Sequence, residues 1–164
     1  MKKHSFTVFI VVLISMFFFV TNAVAGGWHT WPQYVRNQAI IDETHEYNNT
    51  YVGLNCKLWV RKVVKDASGG LVTIPSTSSN LYTWNPDSNV VGRSGLLQYA
   101  QPGEIVQMLL KSGIEHTAIV LAVSTTGVTF IESNWNGDEI VHTRFVTFTK
   151  FKEQVRSFSI YYIL

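Results

Sequence analysis

The chain has 164 residues, with 13 Lys and Arg against 11 Asp and Glu, for a formal charge of +2. That length suits one domain with a real core, and a charge so close to zero argues against nucleic acid or an anionic lipid surface as the main partner. The single cysteine, Cys56, excludes a disulfide-stapled scaffold.

In chain order, the first segment reads as a leader. Lys2 and Lys3 precede an apolar run over residues 6–20, and Ala23, Val24 and Ala25 supply the small-x-small pattern at which signal peptidases cut. The run is too short and wrongly flanked for a stable membrane span. Residues 1–25 are therefore expected to be a cleaved secretory signal peptide that leaves no membrane anchor. Residues 26–164 are expected to form one near-neutral, monomeric domain, secreted or periplasmic in a bacterial setting.

A helix is expected from Pro32, which suits a first helical turn, with Val35, Ala39 and Ile40 at helical spacing. Residues 48–53 break the pattern. A second helix runs from Asn55, a suitable N-cap, through Leu58, Trp59, Val63 and Ala67 to the stop at Ser68, Gly69 and Gly70. Cys56 falls in its first turn. Residues 75–101 are rich in Ser, Asn, Gly and Pro and read as loop, with a short helix over 93–99. After Pro102 and Gly103 the period becomes that of strands, over residues 104–110, 116–123, 127–134, 139–148 and 157–164. Short connections favour antiparallel pairing. The expected fold is α+β, with N-terminal helices packed on a curved antiparallel sheet of about five strands.

An unpaired thiol in an exported chain is either an inert buried hydrophobe or a retained reactive group. In the first turn of a helix it meets the positive end of the dipole and unpaired N–H groups, which favour thiolate. The backbone N–H groups at Asn55 and Cys56 are candidate donors to an oxyanion. The thiol still needs a proton carrier, and His116, at the start of a strand, is the best placed. The next strand ends in Glu132, Ser133 and Asn134. Residues i and i+2 share a strand face, so Glu132 and Asn134 are expected to project together, and either can accept from the second ring nitrogen of His116. Trp84 and Trp135 are candidates to flank a cleft and stack on substrate. His29, His45 and His142 have no partners at metal-ligand spacing, so neither a metal nor another cofactor is expected.

Together these residues make the chain resemble the cysteine- and histidine-dependent amidohydrolase/peptidase (CHAP) domains of the papain-like, NlpC-type superfamily. The resemblance covers residues 51–162. It is carried by Asn55 and Cys56 with Trp59 and Val60, by Gln101-Pro102-Gly103-Glu104, by His116-Thr117-Ala118 and by Ile131-Glu132-Ser133-Asn134. It implies a papain-like fold and a catalytic set of Cys56 as nucleophile, His116 as base, and Glu132 and Asn134 orienting the histidine or lining the cleft. It also implies hydrolysis of amide bonds in peptidoglycan, at the muramoyl amide or within the stem peptide. Two positions depart from the family pattern: Asn55 stands where many members have Gln, and Glu104 where many have Asp. A thioester-based amide transferase and a non-catalytic module that binds cell-wall peptide are the alternatives, the second disfavoured because a binder needs no nucleophile.

Overall fold

The computed structural model describes residues 27–74 and 89–164. The expected leader and Trp84 lie outside the described residues. Helix α1 (Gln33–His45) starts directly after Pro32, whose missing N–H costs nothing at a helix entrance. Its buried stripe is more polar than the sequence pattern implies: Arg36, Asn37, Ile40 and Thr44. Arg36 is tolerated there because its guanidinium donates to the Trp28 carbonyl at 3.3 Å and to Gln33 Oε1 at 2.9 Å.

Helix α2 (Cys56–Ala67) is capped as expected, with Asn55 Oδ1 accepting from the Leu58 N–H at 3.1 Å. It buries Trp59, Val60, Val63, Val64 and Ala67. Gly69 and Gly70, both with positive φ, end it as Gly70 N–H returns to the Lys65 carbonyl at 2.7 Å.

Six strands follow: β1 (Val90–Arg93), β2 (Ile105–Leu110), β3 (Glu115–Val123), β4 (Gly127–Ser133), β5 (Val141–Thr147) and β6 (Val155–Ile163). They form one antiparallel sheet in the order β1-β6-β2-β3-β4-β5. Strands β2 to β5 are a meander, and β6 returns to lie between β1 and β2. Alternation along each strand divides the core in two. Ile105, Ile119 and Ile131 join Ile40, Trp59, Val60 and Val63 on the helical side. Val106, Ala118, Val120, Phe130 and Ile160 join Leu97 and Phe151 on the other.

Three expectations are corrected. Among the described residues the sheet has six strands rather than about five, because the four-residue β1 lies inside the segment read as loop. The helix expected over 93–99 is a single 3₁₀ turn, Leu97–Tyr99, with Arg93 in β1. The strand expected over 139–148 stops at Thr147, whose hydroxyl accepts from the Lys150 N–H and caps a further short helix, α3 (Phe148–Gln154).

The Gly103-Glu104 pair has a structural use. Glu104 is buried and takes a two-point contact from Arg93, Nε to Oε1 and Nη2 to Oε2, each at 2.7 Å. This ties edge strand β1 to the head of β2. Gly103 has φ +83°, and a Cβ there would lie 2.4 Å from the Asn37 carbonyl oxygen of α1. Gly103→Ala should therefore lower stability by about 2–3 kcal/mol, from left-handed backbone strain plus displacement of α1. Urea unfolding followed by circular dichroism measures this, and an unchanged midpoint would show that the contact is not needed.

Candidate active site

The site begins where the sheet opens. Along β3 the even-numbered residues bond to β2, as Val120 N–H to the Glu104 carbonyl and Leu110 N–H to the Ile114 carbonyl show. The odd-numbered ones turn their backbone groups toward β4. The β3–β4 ladder, however, stops at Ile119↔Ile131, so the Thr117 N–H has no strand partner on that side. It is directed at the Cys56 sulfur instead, together with the Lys57 N–H of the first turn of α2. The opening between two strands thus receives the head of the helix that carries the thiol.

The lead-in to that helix is fixed by backbone bonds. Asn49 N–H and Val52 N–H donate to the Val141 and Glu139 carbonyls at 2.9 and 3.0 Å, and Val141 N–H returns to the Thr50 carbonyl at 3.0 Å. Tyr51 forms an isolated antiparallel bridge with Ile140. Ser133 Oγ donates to the Leu54 carbonyl at 2.8 Å, joining the end of β4 to the approach to Cys56. A thiol held between a helix cap and a sheet end has little freedom to wander.

Cys56, His116 and Glu132 are brought together. His116 Nε2 lies 3.0 Å from Glu132 Oε2, with the imidazole nearly buried and the carboxylate wholly so. With Nε2 engaged by Glu132, Nδ1 is left for the thiol, with which the ring also interacts. Burial by itself pushes the Cys56 thiol up. The hydrogen bond and charge of His116, with the N–H groups of Thr117 and Lys57, outweigh it and hold the thiol below its ordinary value. Burial likewise favours neutral imidazole, yet Cys56 and Glu132 on either side raise His116 to about 9. Glu132 is depressed despite its burial, by His116 and Arg144. The surroundings of the three thus favour thiolate, imidazolium and carboxylate over the neutral forms.

Asn134 is not part of this row. It has φ +62°, which breaks the strand alternation after Ser133, and its side-chain oxygen accepts from the Glu139 N–H at 3.1 Å. It closes the turn between β4 and β5, so the expectation that Glu132 and Asn134 project together is corrected. The Asn55 side-chain oxygen is spent on the helix cap, and the backbone donors that reach the sulfur are those of Lys57 and Thr117. The Cys56 N–H, in the first turn where no intrahelical partner exists, remains the natural candidate donor to an oxyanion.

Trp135 does sit at the site. Its ring meets His116 edge-on at 5.0 Å between centroids, and the Arg144 guanidinium lies over it at 3.6 Å. Arg144 was not singled out by the sequence. On β5 it stands opposite Phe130, diagonal to Glu132. Its Nε donates to Glu132 Oε1 and its Nη2 to Oε2 at 3.2 Å. His142, directly opposite Glu132, pairs with Asp138 at 2.9 Å instead. The one sequence signal for Arg144 is a lone cation on a strand otherwise free of charge. Among the described residues no group of three or more His, Cys, Asp or Glu side chains is gathered as a metal site, and no helix is long and apolar enough to cross a membrane.

No protein-family model and no curated protein sequence matches the chain. Among solved structures it is similar to the crystal structure of Ly7917, with TM-score 0.56 and 18% identity over 77% of this chain and 62% of that one. The crystal structure of Ly7917 with the hydrolyzing product of MDP gives TM-score 0.58 and 17% identity over the same shares. The chain thus spans less than two thirds of the length of these relatives, and at such identity the likeness is one of fold.

The electrostatics predict an unusual thiol. Iodoacetamide should label Cys56 in the native protein at pH values below the ~8.5 where an ordinary thiol ionises. The sign follows from the pairing: the thiolate survives acidification until its lowered value is reached, and its imidazolium partner persists until pH climbs through about 9. Labelling followed by mass spectrometry reads this, and a Cys56 that labels only after denaturation would contradict it.

Proposed function

We propose that this chain is an exported cysteine hydrolase of the papain-like CHAP type, secreted or periplasmic, which cleaves amide bonds of peptidoglycan through a thioester. The observation that carries the proposal is the buried row Cys56–His116–Glu132, in which a thiol, an imidazole and a carboxylate stand in hydrogen-bonding order. A structural cysteine needs none of this arrangement.

The chemistry runs along the row. The Cys56 thiolate attacks the amide carbonyl carbon, and the carbonyl oxygen takes up the negative charge near the N-terminal N–H groups of α2. His116 gives its Nδ1 proton to the departing nitrogen, the C–N bond breaks, and an acyl-thioester remains. Water then attacks the thioester with His116 as base, releasing the acid and restoring the thiolate. Glu132, on Nε2, keeps the ring oriented and offsets its charge throughout. Trp135, on the imidazole edge, is placed to form one wall of a substrate cleft. The likeness in fold to Ly7917, solved with the hydrolyzing product of MDP, supports the choice of a peptidoglycan-derived substrate over other amides.

Purified peptidoglycan should yield new amino groups without new reducing ends, detected by mass spectrometry of the soluble fragments. Release of reducing ends would indicate glycan cleavage and sink the proposal. Activity should survive EDTA and be lost to iodoacetamide.

Substitutions should separate chemistry from orientation. Cys56→Ala and His116→Ala should each bring turnover near background, with the double variant scarcely worse, since nucleophile and base act as a unit. Glu132→Gln should cost roughly 10- to 1000-fold. It should also move the descending limb of the pH profile to lower pH, because the carboxylate is part of what raises His116. Asn134→Ala should leave that limb in place. A Glu132→Gln enzyme with wild-type rate and profile would remove Glu132 from the row.

A further inference from the structure

We propose that Arg144, braced on the face of Trp135, is the positioning residue of this site, orienting Glu132 and serving as its charge partner so that His116 faces Cys56. The inference rests on the reading of Cys56 and His116 as nucleophile and proton carrier, and concerns what holds that pair in its working state.

The contacts close a ring. His116 Nε2 meets Glu132 Oε2 at 3.0 Å, Arg144 meets both carboxylate oxygens, the guanidinium lies 3.6 Å over Trp135, and Trp135 returns to the His116 ring at 5.0 Å and 82°. Each member restrains the next. The fork of Arg144 defines the carboxylate plane, since both Nε and Nη2 engage it. The carboxylate defines the direction of the imidazole, and Trp135 limits its tilt. The asparagine that could have oriented the ring is turned away into the β4–β5 turn, so orientation falls to the carboxylate and the group behind it.

Charge gives the second reason. Glu132 is fully buried, and a buried carboxylate facing imidazole alone would be uncompensated whenever that imidazole gives up its proton in the reaction. Arg144 keeps its charge at every step, so Glu132 stays ionised while the proton moves between His116 and substrate. The other charged groups around the row are Lys57 on α2, Glu115 on β3 and the Asp138–His142 pair at the head of β5. The groups that act on Glu132 are His116 and Arg144.

The test uses alkylation of Cys56 as a function of pH, which needs no substrate. Removing a fixed positive charge raises the proton affinity of neighbouring groups, whether the extra proton settles on Glu132 or on Cys56. Arg144→Met should therefore move the ascending limb up by about one pH unit, a roughly tenfold slower alkylation at a pH on that limb. Arg144→Gln makes the same comparison if Arg144→Met does not fold. Arg144→Lys keeps the charge but loses the fork and the flat stacking. It should keep the limb near its wild-type place while lowering kcat on peptidoglycan more than it changes KM.

A residue with only a structural role would lower the melting temperature without moving the limb, and a limb unmoved in the uncharged variants overturns the proposal. Wild-type Cys56 that titrates as an ordinary thiol overturns the parent reading, and this one with it. A reactive wild-type thiol in a protein that leaves peptidoglycan intact overturns only the choice of substrate.

Discussion

A carboxylate with no exposed surface is the constraint on which the rest of the site depends. Taking Glu132 out of water is costly unless cations and donors replace the solvent, and removing one partner from a buried pair costs about 3–5 kcal/mol. The fold supplies partners on two sides, His116 from β3 and Arg144 from β5. His116 is held in register by the β2–β3 ladder, and Glu132 and Arg144 by the β4–β5 ladder, so each partner is placed by strand pairing. Glu132 lies on the strand between them, so no loop motion is needed to assemble it.

The same sheet also has to admit the thiol. A continuous β3–β4 ladder would pair the backbone of Thr117 with β4 and leave the sulfur only the Lys57 N–H. Ending the ladder at Ile119↔Ile131 frees that N–H, and the head of α2 arrives where it points. Ser133 and the residue 49–52 segment then hold the approach by hydrogen bonds to and from β4 and the strand start beyond it. The helix side core, with Trp59, Val60 and Val63 against Ile119 and Ile131, fixes the depth at which Cys56 sits. Packing in the core and geometry at the sulfur are two ends of one helix.

What could be read from the sequence follows from which interactions are local. Asn55 as a cap, the apolar face of α2 and the stop at Gly69-Gly70 are encoded within a few residues of each other, and the structure carries all three. The four meander strands with their turns were legible for the same reason. Strand β1 was not, because four residues of Val-Val-Gly-Arg show no alternation and owe their pairing to β6, some seventy residues away. Helix α3 was hidden by following β5 without a break. At the site, Cys56, His116 and Glu132 could be proposed from their order on helix, strand and next strand. Arg144 could not, since its diagonal relation to Glu132 depends on the β4–β5 register. Asn134 misled because period-two reasoning holds only while the strand continues, and one positive φ ends it.

The proton equilibria of the row also bear on stability. A group raised in the folded state, as His116 is, contributes stability that is fully present below its unfolded value near 6.5 and lost as pH rises through about 9. Glu132 is depressed, so its contribution is present above the ordinary carboxylate range and lost as pH falls through its folded value. Both contributions hold together from above the ordinary carboxylate range to the neutral region. The row is thus most stabilising while Glu132 is ionised and His116 protonated. A fold built around one buried carboxylate thus keeps it compensated on both sides over that stretch of pH.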